Sequence, residues 1–149
     1  MMLDGDNTYN PSEIPRLIES LESGFADVIL GSRLGGKMAK GSMDFLHRLA
    51  NLFFTFFVRQ FYKANITDVC TGFFAWRTDV ILKIRDELNS TGFAIETEIV
   101  TKMARLGFRI YSVPITYAPR AGQSKIDPFR DTLRIITAIV KNWKKTTVK

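Results

Sequence analysis

The sequence has few of the residues that build disulfides and transition-metal sites. It contains a single cysteine, Cys70, and a single histidine, His47. One cysteine excludes an internal disulfide framework and fits a reducing compartment, and these two residues cannot supply the four ligands of a structural zinc site. We expect Cys70 to be a small buried apolar residue and His47 to lie at the surface.

Long apolar runs are also missing. The most apolar stretch, residues 52–58, has seven residues and stops before Arg59, whereas ~20 are needed to span a bilayer. The sequence therefore predicts no membrane-spanning helix. With 46% hydrophobic and 24% charged residues, the composition is that of a globular domain long enough to bury a sizeable core.

Acidic residues are scarce near the C-terminal end. The net charge is +6, and residues 130–149 hold six basic residues and one acid, Asp131, so that they carry +5 of it. Asp127 and Pro128 open a predicted helix whose apolar residues form one stripe flanked by the basic ones: Phe129, Leu133, Ile136, Val140 and Trp143. Because this pattern is typical of a helix on an anionic or lipid surface, residues 127–149 are predicted to be a basic amphipathic interface helix.

An acidic motif follows the first apolar residues of the chain. Asp4 and Asp6 stand two positions apart, and side chains at i and i+2 of an extended backbone point to the same side. Two carboxylates that close require a cation or a shared proton, and hard oxygen donors suit Mg²⁺ or Mn²⁺ carrying phosphate oxygens. The alternative is a solvated Asp-Gly turn, which explains only one of the two aspartates.

A strand, a helix and a second strand are predicted from this motif onward. Asn10 is a suitable N-cap and Pro11 a suitable first helical residue, and Gly24 ends the helix. Residues 25–30 then form a short apolar run that indicates a buried strand. This order predicts a parallel α/β unit.

The following stretch predicts a loop and then a long helix. Residues 34–42 contain three glycines and are expected to be a mobile loop, and the helix runs to about Tyr62. On this helix, Leu49, Leu52, Phe53, Phe56 and Phe57 follow helical spacing and are expected to face the core, with Arg48, Asn51, Thr55 and Arg59 on the opposite stripe.

A strand over residues 73–77 and a short helix over residues 78–88 are predicted next, and a further helix ends at Leu106. Glu96 falls inside the apolar sector of that last helix. It is therefore predicted to be paired, metal-bound or functional, or else to be a glutamate of a frayed first turn. Residues 108–117 predict a strand pair kinked at Pro114.

Several short motifs stand in a fixed order along the chain: Leu3-Asp4-Gly5-Asp6 with the Asn10-Pro11 helix start, Gly31-Ser32-Arg33, Arg48, Asp68-x-x-Thr71-Gly72-Phe73, Glu96-x-Glu98, Gly107-Phe108-Arg109-Ile110, Val113-Pro114-Ile115 and Arg120-x-Gly122-x-Ser124-Lys125. Together they resemble the family 2 glycosyltransferases. Within that family, the chain is similar to the dolichyl-phosphate mannose and dolichyl-phosphate glucose synthases.

The resemblance implies a GT-A fold, which is a Rossmann-like three-layer α/β sandwich, and an inverting reaction. A hexose would pass from UDP-glucose or GDP-mannose to a dolichyl or other polyprenyl phosphate, at the cytoplasmic face of a membrane and without a nucleic-acid partner. Asp4 and Asp6 would hold Mg²⁺ or Mn²⁺, although Thr8 and Tyr9 replace the glutamine or histidine that the family has shortly after this pair.

The resemblance also assigns the other site residues. Asp6, Glu96 and Glu98 would lie nearest the reaction, with the two glutamates as positioning groups, since an ionised phosphate acceptor needs no strong base. Substrate binding would fall to Arg33, Arg48, Asp68, Thr71, Gly72, Arg120, Ser124 and Lys125, with Arg33 and Arg48 on the acceptor phosphate.

The position of the acidic motif differs from the family pattern. In the family it lies in the middle of the catalytic domain, whereas here three residues precede Asp4. We therefore expect residues 1–126 to be the C-terminal part of a GT-A catalytic domain that is incomplete at its N-terminus. Such a chain would be a poor catalyst and would form homo-oligomers through an open sheet edge.

Two other functions fit parts of the sequence. The run from Asp4 to Thr8 matches the D-x-D-x-T motif of haloacid-dehalogenase-type phosphatases, with Asp4 as nucleophile and Asp6 as acid/base, and Asp127 and Asp131 would be their later acidic motif. A basic membrane- or nucleic-acid-binding module without catalysis would explain the net charge alone.

Overall fold

The computed structural model describes residues 1–120 and 127–144. In chain order, its strands and helices are β1 (Met2–Leu3), α1 (Ile14–Glu22), β2 (Val28–Met38), α2 (Phe45–Tyr62), β3 (Phe73–Trp76), α3 (Thr78–Leu82), α4 (Ile95–Arg105), β4 (Ile110–Tyr117) and α5 (Pro128–Lys144). Single 3₁₀ turns lie at Pro11–Glu13, Arg85–Glu87 and Gly92–Ala94. The α/β prediction is therefore confirmed.

The four strands form one mixed sheet in the order β1-β3-β2-β4. Strands β2 and β4 are parallel, while β3 runs antiparallel to both β1 and β2. Strands β1 and β2 thus point the same way, as predicted for a βαβ unit, but β3 is inserted between them. The later strand β3 supplies hydrogen-bond partners to both, so the two predicted strands are parallel without being neighbours in the sheet.

Apolar clusters cover both faces of the sheet. Strand β2 shows the alternation, since Val28 and Leu30 belong to one cluster and Ile29 to the other. Helix α1 packs on the Ile29 side through Leu17, and helices α2 to α5 pack on the other side. The sheet is therefore the middle of three layers, and β1 ends where the acidic motif begins.

Strand β2 extends further than the sequence predicts. Residues 28–32 pair with β4, and after a register shift Lys37 and Met38 pair with it again. A side chain at Gly36 would overlap the backbone of Ile115, so the glycine permits the close approach that the ladder needs. The predicted loop over 34–42 is wrong for residues 34–38, which belong to β2 because pairing with β4 outweighs the weak strand propensity of glycine, and it holds for residues 39–42.

Strand β4 is one strand, not the predicted strand pair. It passes through Pro114 without a break, next to Ser32 of β2. Proline lacks an N–H donor and is tolerated where the other side of the strand has no partner. In the described sheet β4 lies at the edge, which is where such a residue is expected.

Helix α2 buries a different face from the one predicted, although Arg48 and Arg59 are exposed as expected. Its N-cap is Asp44, whose carboxylate accepts a hydrogen bond from the His47 N–H. The residues that it buries are Asn51, Phe54, Thr55, Val58 and Tyr62, whereas Leu49, Leu52, Phe53 and Phe56 are each about half exposed. The prediction that this aromatic stripe is core is wrong, because the polar residues Asn51 and Thr55 find hydrogen-bond partners inside.

Helix α5 has the orientation that the sequence predicts. Its buried residues are Asp131, Ile135, Ala138, Ile139 and Asn142. The predicted apolar stripe from Phe129 to Trp143 is exposed along its length. Aromatic rings join the two exposed stripes, since Phe61 of α2 lies 5.0 Å from Trp143 of α5 between ring centroids. The two helices therefore share one exposed apolar surface, which we call the α2/α5 face.

Candidate functional site

Asp4 leaves the end of β1 and lies against Gly72. Its backbone N–H donates to the Gly72 carbonyl at 3.2 Å. A Cβ at position 72 would overlap the Asp4 carboxylate, so only glycine leaves room for this side chain. Gly72 therefore forms the seat of Asp4, a more direct role than the predicted contact with substrate.

Asp6 is held by a tight local turn and by a distant arginine. Both the hydroxyl and the backbone N–H of Thr8 donate to Oδ1, at 2.6 and 3.2 Å. The guanidinium of Arg120 lies 2.7 Å from Oδ2. Arg120 reaches this position because residue Thr8 accepts a backbone hydrogen bond from Ala118, just beyond the end of β4. The acidic motif thus already attracts a cationic group.

The two carboxylates differ in their titration. Burial and the charge of Asp6 both raise the pKa of Asp4, against the lowering effect of Arg33 and Arg120. Burial would also raise the pKa of Asp6, but the hydrogen bonds from Thr8 and the charge of Arg120 outweigh it and lower the value. At neutral pH a bound cation would relieve the repulsion that Asp6 exerts on Asp4.

Glu96 adds a third acid to this neighbourhood. Burial raises its pKa to about 7, and the charge of Asp4 acts in the same direction. Its Oε2 is buried and has no hydrogen-bond partner within residues 1–120 and 127–144. The sequence predicts that a buried Glu96 is paired, metal-bound or functional. The described residues supply no hydrogen bond to Oε2, so this oxygen is available for a metal or a substrate.

Glu98 has a different position from its neighbour two residues earlier. One carboxylate oxygen accepts the N–H groups of Asn89 and Ser90, at 3.1 and 2.7 Å, and the other lies 3.0 Å from Lys102. These partners fix the loop before α4. The described contacts of Glu98 therefore differ from those of Glu96 and are structural, and its predicted role near the reaction stays a prediction.

Arg33 is buried, unlike Arg48. Its guanidinium forms two hydrogen bonds of 2.8 Å with the Asp68 carboxylate and one of 2.6 Å with the Cys70 carbonyl. Burial would lower the pKa of Arg33, but the adjacent Asp68 outweighs it and keeps the group charged. The two arginines were predicted to bind one phosphate together, and the structure places Arg33 inside and Arg48 on the exposed side of α2.

The turn at residues 68–72 is the centre of the polar interior. Asp68 accepts hydrogen bonds from the Arg33 backbone N–H as well as its side chain. Thr71 is buried, and its hydroxyl accepts the N–H of Phe73 at 3.3 Å. Asp68, Thr71 and Gly72 thus shape this turn. Their predicted contact with substrate stays a prediction.

Sequence reasoning missed three side chains that hold the same turn. The Tyr9 hydroxyl accepts the Gly72 N–H at 2.8 Å. From α2, Asn51 donates to Asp68 at 2.6 Å and Thr55 accepts the Val69 N–H at 3.0 Å. The available signal was the i, i+4 spacing of two small polar residues on an otherwise apolar helix, which matches buried hydrogen bonding as well as exposure.

Of the remaining residues predicted to bind an anion, the structure describes one. Arg120 is described and pairs with Asp6. Ser124 and Lys125 lie outside the described residues. Over the described ranges, no group of three or more His, Cys, Asp or Glu side chains is placed to hold a metal ion. Two carboxylates are nevertheless sufficient for a Mg²⁺-like ion that takes its other ligands from water and substrate phosphates, so Asp4 and Asp6 fit such an ion.

Comparison with known proteins gives a consistent group of relatives. The model of the family described as glycosyl transferase family 2 matches residues 1–85. The chain is 33% identical to a low-salt glycan biosynthesis hexosyltransferase of Haloferax volcanii over 95% of its own length and 34% of the relative's. It is 33% identical to an undecaprenyl-phosphate mannosyltransferase of Micrococcus luteus, over 83% and 51% of the two chains.

A further relative is named for a dolichyl-phosphate substrate. The chain is 32% identical to a dolichyl-phosphate hexose transferase of Haloferax volcanii over 93% of its own length and 58% of the relative's. The chain thus spans between about a third and about three fifths of the curated relatives that it matches here.

Proposed function

Because the chain belongs to glycosyl transferase family 2, whose model matches 85 of its 149 residues, we propose that the protein transfers a hexose from a nucleotide sugar to a polyprenyl phosphate. The names of two relatives support this choice, since one is an undecaprenyl-phosphate mannosyltransferase and the other a dolichyl-phosphate hexose transferase. UDP-glucose and GDP-mannose are the proposed donors. Transfer with inversion follows if the ionised acceptor phosphate attacks the sugar directly.

The observation that carries the proposal is the arrangement of Asp4 and Asp6. One carboxylate is seated on Gly72, and the other already lies 2.7 Å from a guanidinium. We propose that Mg²⁺ or Mn²⁺ binds between them together with the donor diphosphate. A bound cation would neutralise negative charge on the departing nucleoside diphosphate. Arg120, displaced from Asp6 by the cation, would remain beside the same site as a phosphate ligand.

The acceptor side of the site is proposed from exposed basic groups. Arg48 is exposed at the start of α2, and the side chain of Arg120 is 26% exposed. The buried Arg33 contributes positive charge without being exposed: its charge lowers the pKa of Asp4, and its side chain pairs with Asp68. The predicted contacts of Ser124 and Lys125 with the acceptor phosphate belong to the same proposal.

The test is a transfer assay with the complete protein and a labelled nucleotide sugar. Asp6→Asn should reduce hexose transfer to polyprenyl phosphate by at least about a thousandfold, because the carboxylate contact with the cation is lost. The matched control is Asp79→Asn, which removes an exposed carboxylate paired with Arg77 and should leave transfer unchanged. Full transfer in excess EDTA would refute the role of the cation.

A phosphatase assay on the same protein tests the phosphatase alternative. The comparisons offer it no support, and Asp127 and Asp131 have contacts at the start of α5: Asp127 accepts the N–H groups of Phe129 and Arg130, and Asp131 accepts that of Asp127. Rapid hydrolysis of a generic phosphomonoester, with loss of that activity in Asp4→Asn, would favour a phosphatase over a glycosyltransferase.

We also propose that the α2/α5 face binds a membrane surface. Within residues 1–120 and 127–144, no helix is long and apolar enough to cross a bilayer. The face carries exposed Phe45, Leu46, Leu49, Leu52, Phe53, Phe56 and Phe61 of α2 and the exposed stripe of α5. Helix α2 has two arginines and no acid, so that basic groups border the apolar surface as interfacial binding requires.

Vesicle co-sedimentation tests this surface and its competitor, a second copy of the chain. The double variant Phe56→Ser, Trp143→Ser should bind anionic vesicles at least about tenfold more weakly, since apolar burial supplies much of the affinity. The matched control is Phe25→Ser, which removes an exposed aromatic ring outside the face. If the two variants bind vesicles equally, but the double variant alone changes a dimer into a monomer, the face is a homo-oligomer contact. Which side of the membrane is involved stays a prediction.

A further inference from the structure

The polar residues on the inner side of α2 connect the exposed helix with the acidic motif. Asn51 and Thr55 are each 4% exposed and stand one turn apart. Both were predicted to lie on a polar outer stripe. Their inward position requires a reason, because burying an amide and a hydroxyl is costly unless each finds hydrogen-bond partners.

Asn51 uses both ends of its amide on the turn at residues 68–72. Its Nδ2 donates to the Asp68 carboxylate at 2.6 Å, and its Oδ1 accepts the Cys70 N–H at 3.4 Å and the Thr55 hydroxyl at 3.3 Å. Thr55 in turn accepts the N–H of Val69. Three successive residues of the turn are therefore held by α2.

The end of this turn is the seat of Asp4. Gly72 follows the held residues by two positions, and its Cα lies directly beneath the Asp4 carboxylate. The same residue accepts the Asp4 N–H at 3.2 Å. A displacement of the turn by a few tenths of an ångström would therefore move or crowd that carboxylate.

We propose that Asn51 is a positioning residue for the acidic motif: it fixes the 68–72 turn so that Gly72 holds Asp4 in the place where the motif binds its divalent cation. The proposal rests on the proposed function, because it assigns a cation to Asp4 and Asp6. It adds a residue of α2, the helix whose outer side forms the α2/α5 face. Residues that hydrogen-bond a metal ligand without touching the ion affect affinity by roughly ten- to a hundredfold. Asn51 acts on Asp4 through the turn, so we expect an effect near the lower end of that range.

Manganese binding to the complete protein, measured by titration calorimetry with and without nucleoside diphosphate, tests the proposal. Asn51→Ala should weaken Mn²⁺ binding by about tenfold or more, while the matched control Gln60→Ala, which removes an exposed amide of the same helix, leaves it unchanged. Thr55→Val should weaken binding and Thr55→Ser should restore it, since serine keeps the hydroxyl that accepts the Val69 N–H.

Two outcomes would overturn the proposal. A purely structural role would lower the urea midpoint of Asn51→Ala but leave the Mn²⁺ dissociation constant of the folded protein as in the wild type. If the wild type binds no Mn²⁺, the proposed function fails on its own, and hydrogen exchange then decides the role of Asn51. Faster exchange of the amides of residues 69–72 and Asp4 in Asn51→Ala than in Gln60→Ala would support the positioning of Asp4 by Asn51. Equal exchange in the two variants would overturn that positioning role.

Discussion

The inner side of α2 buries two polar residues among its apolar ones, whereas the outer side exposes a stripe of large apolar residues. The inner side holds Asn51 and Thr55 next to the fully buried Asp68, while the outer side exposes Phe53 and Phe56 by more than half. In this region burial follows hydrogen-bond satisfaction, because the polar groups inside have partners. Substitutions of small or charged inner residues should therefore cost more stability than substitutions of the large outer aromatics.

Among the polar residues and glycines, the largest expected effect is that of Arg33→Ala. It leaves the Asp68 carboxylate buried without its guanidinium partner, and removing one member of a buried ion pair costs about 3–5 kcal/mol of unfolding free energy. Urea denaturation followed by circular dichroism measures the loss. The matched control is Arg48→Ala, an exposed arginine, which should change stability by less than about 0.5 kcal/mol. Equal effects of the two changes would contradict the polar interior described here.

Gly72→Ala should have the next largest effect. The added methyl group would overlap the Asp4 carboxylate, and such overpacking costs about 1–3 kcal/mol. Calorimetry should also find Mn²⁺ binding weakened, since Asp4 must move. Gly5→Ala is the control for stability, because a Cβ at Gly5 meets no atom within 4 Å. A Gly72→Ala protein as stable as the Gly5→Ala protein would refute the seat of Asp4.

Glu98→Gln should cost about 1–2 kcal/mol near neutral pH, where the lost bonds involve a charged group. The hydrogen bonds from Ser90, Asn89 and Lys102 outweigh burial and lower the pKa of Glu98 from 4.5. The carboxylate therefore stabilises the fold above the unfolded value, and this contribution disappears as the pH falls through the lower folded value. Unfolding at about pH 7 and about pH 3 checks this: the difference between wild type and variant should shrink in acid.

The smallest effect on stability is expected for Phe56→Ser. Its ring is 56% exposed on the α2/α5 face, so the change should alter unfolding free energy by less than about 0.5 kcal/mol. The neighbouring Phe54 is 4% exposed, and Phe54→Ala should cost about 3–5 kcal/mol by leaving a cavity. Thermal denaturation of both variants compares the sides directly. A large loss for Phe56→Ser would mean that the outer aromatics belong to the core.

Sequence patterns located the acidic motif and most helices because their signals are local. Asn10 caps the first helical turn as predicted, and Gly107 ends α4 in the left-handed conformation. The aspartates after β1 were recognisable from the change from apolar to acidic residues alone. Such features depend on neighbours within a few positions, and the fold preserves them.

Features that depend on distant partners were not predictable in the same way. The strand state of Gly36 depends on β4, about eighty residues later, and the burial of Asn51 depends on Asp68. An amphipathic pattern gives the position of the apolar stripe on a helix but not what covers it. The burial of Asn51 and Thr55 on α2 and the insertion of β3 between β1 and β2 both follow from contacts that no local window contains.

The contact between Phe61 and Trp143 has a geometric consequence. A single amphipathic helix on a surface can still roll about its own axis, so the height and direction of any attached group vary. Two helices joined side by side, as α2 and α5 are through these rings, define a plane and remove that rolling freedom. If the proposed membrane docking uses both helices, the acidic motif would be held at a fixed height and tilt, and the search for the proposed lipid phosphate acceptor would become two-dimensional.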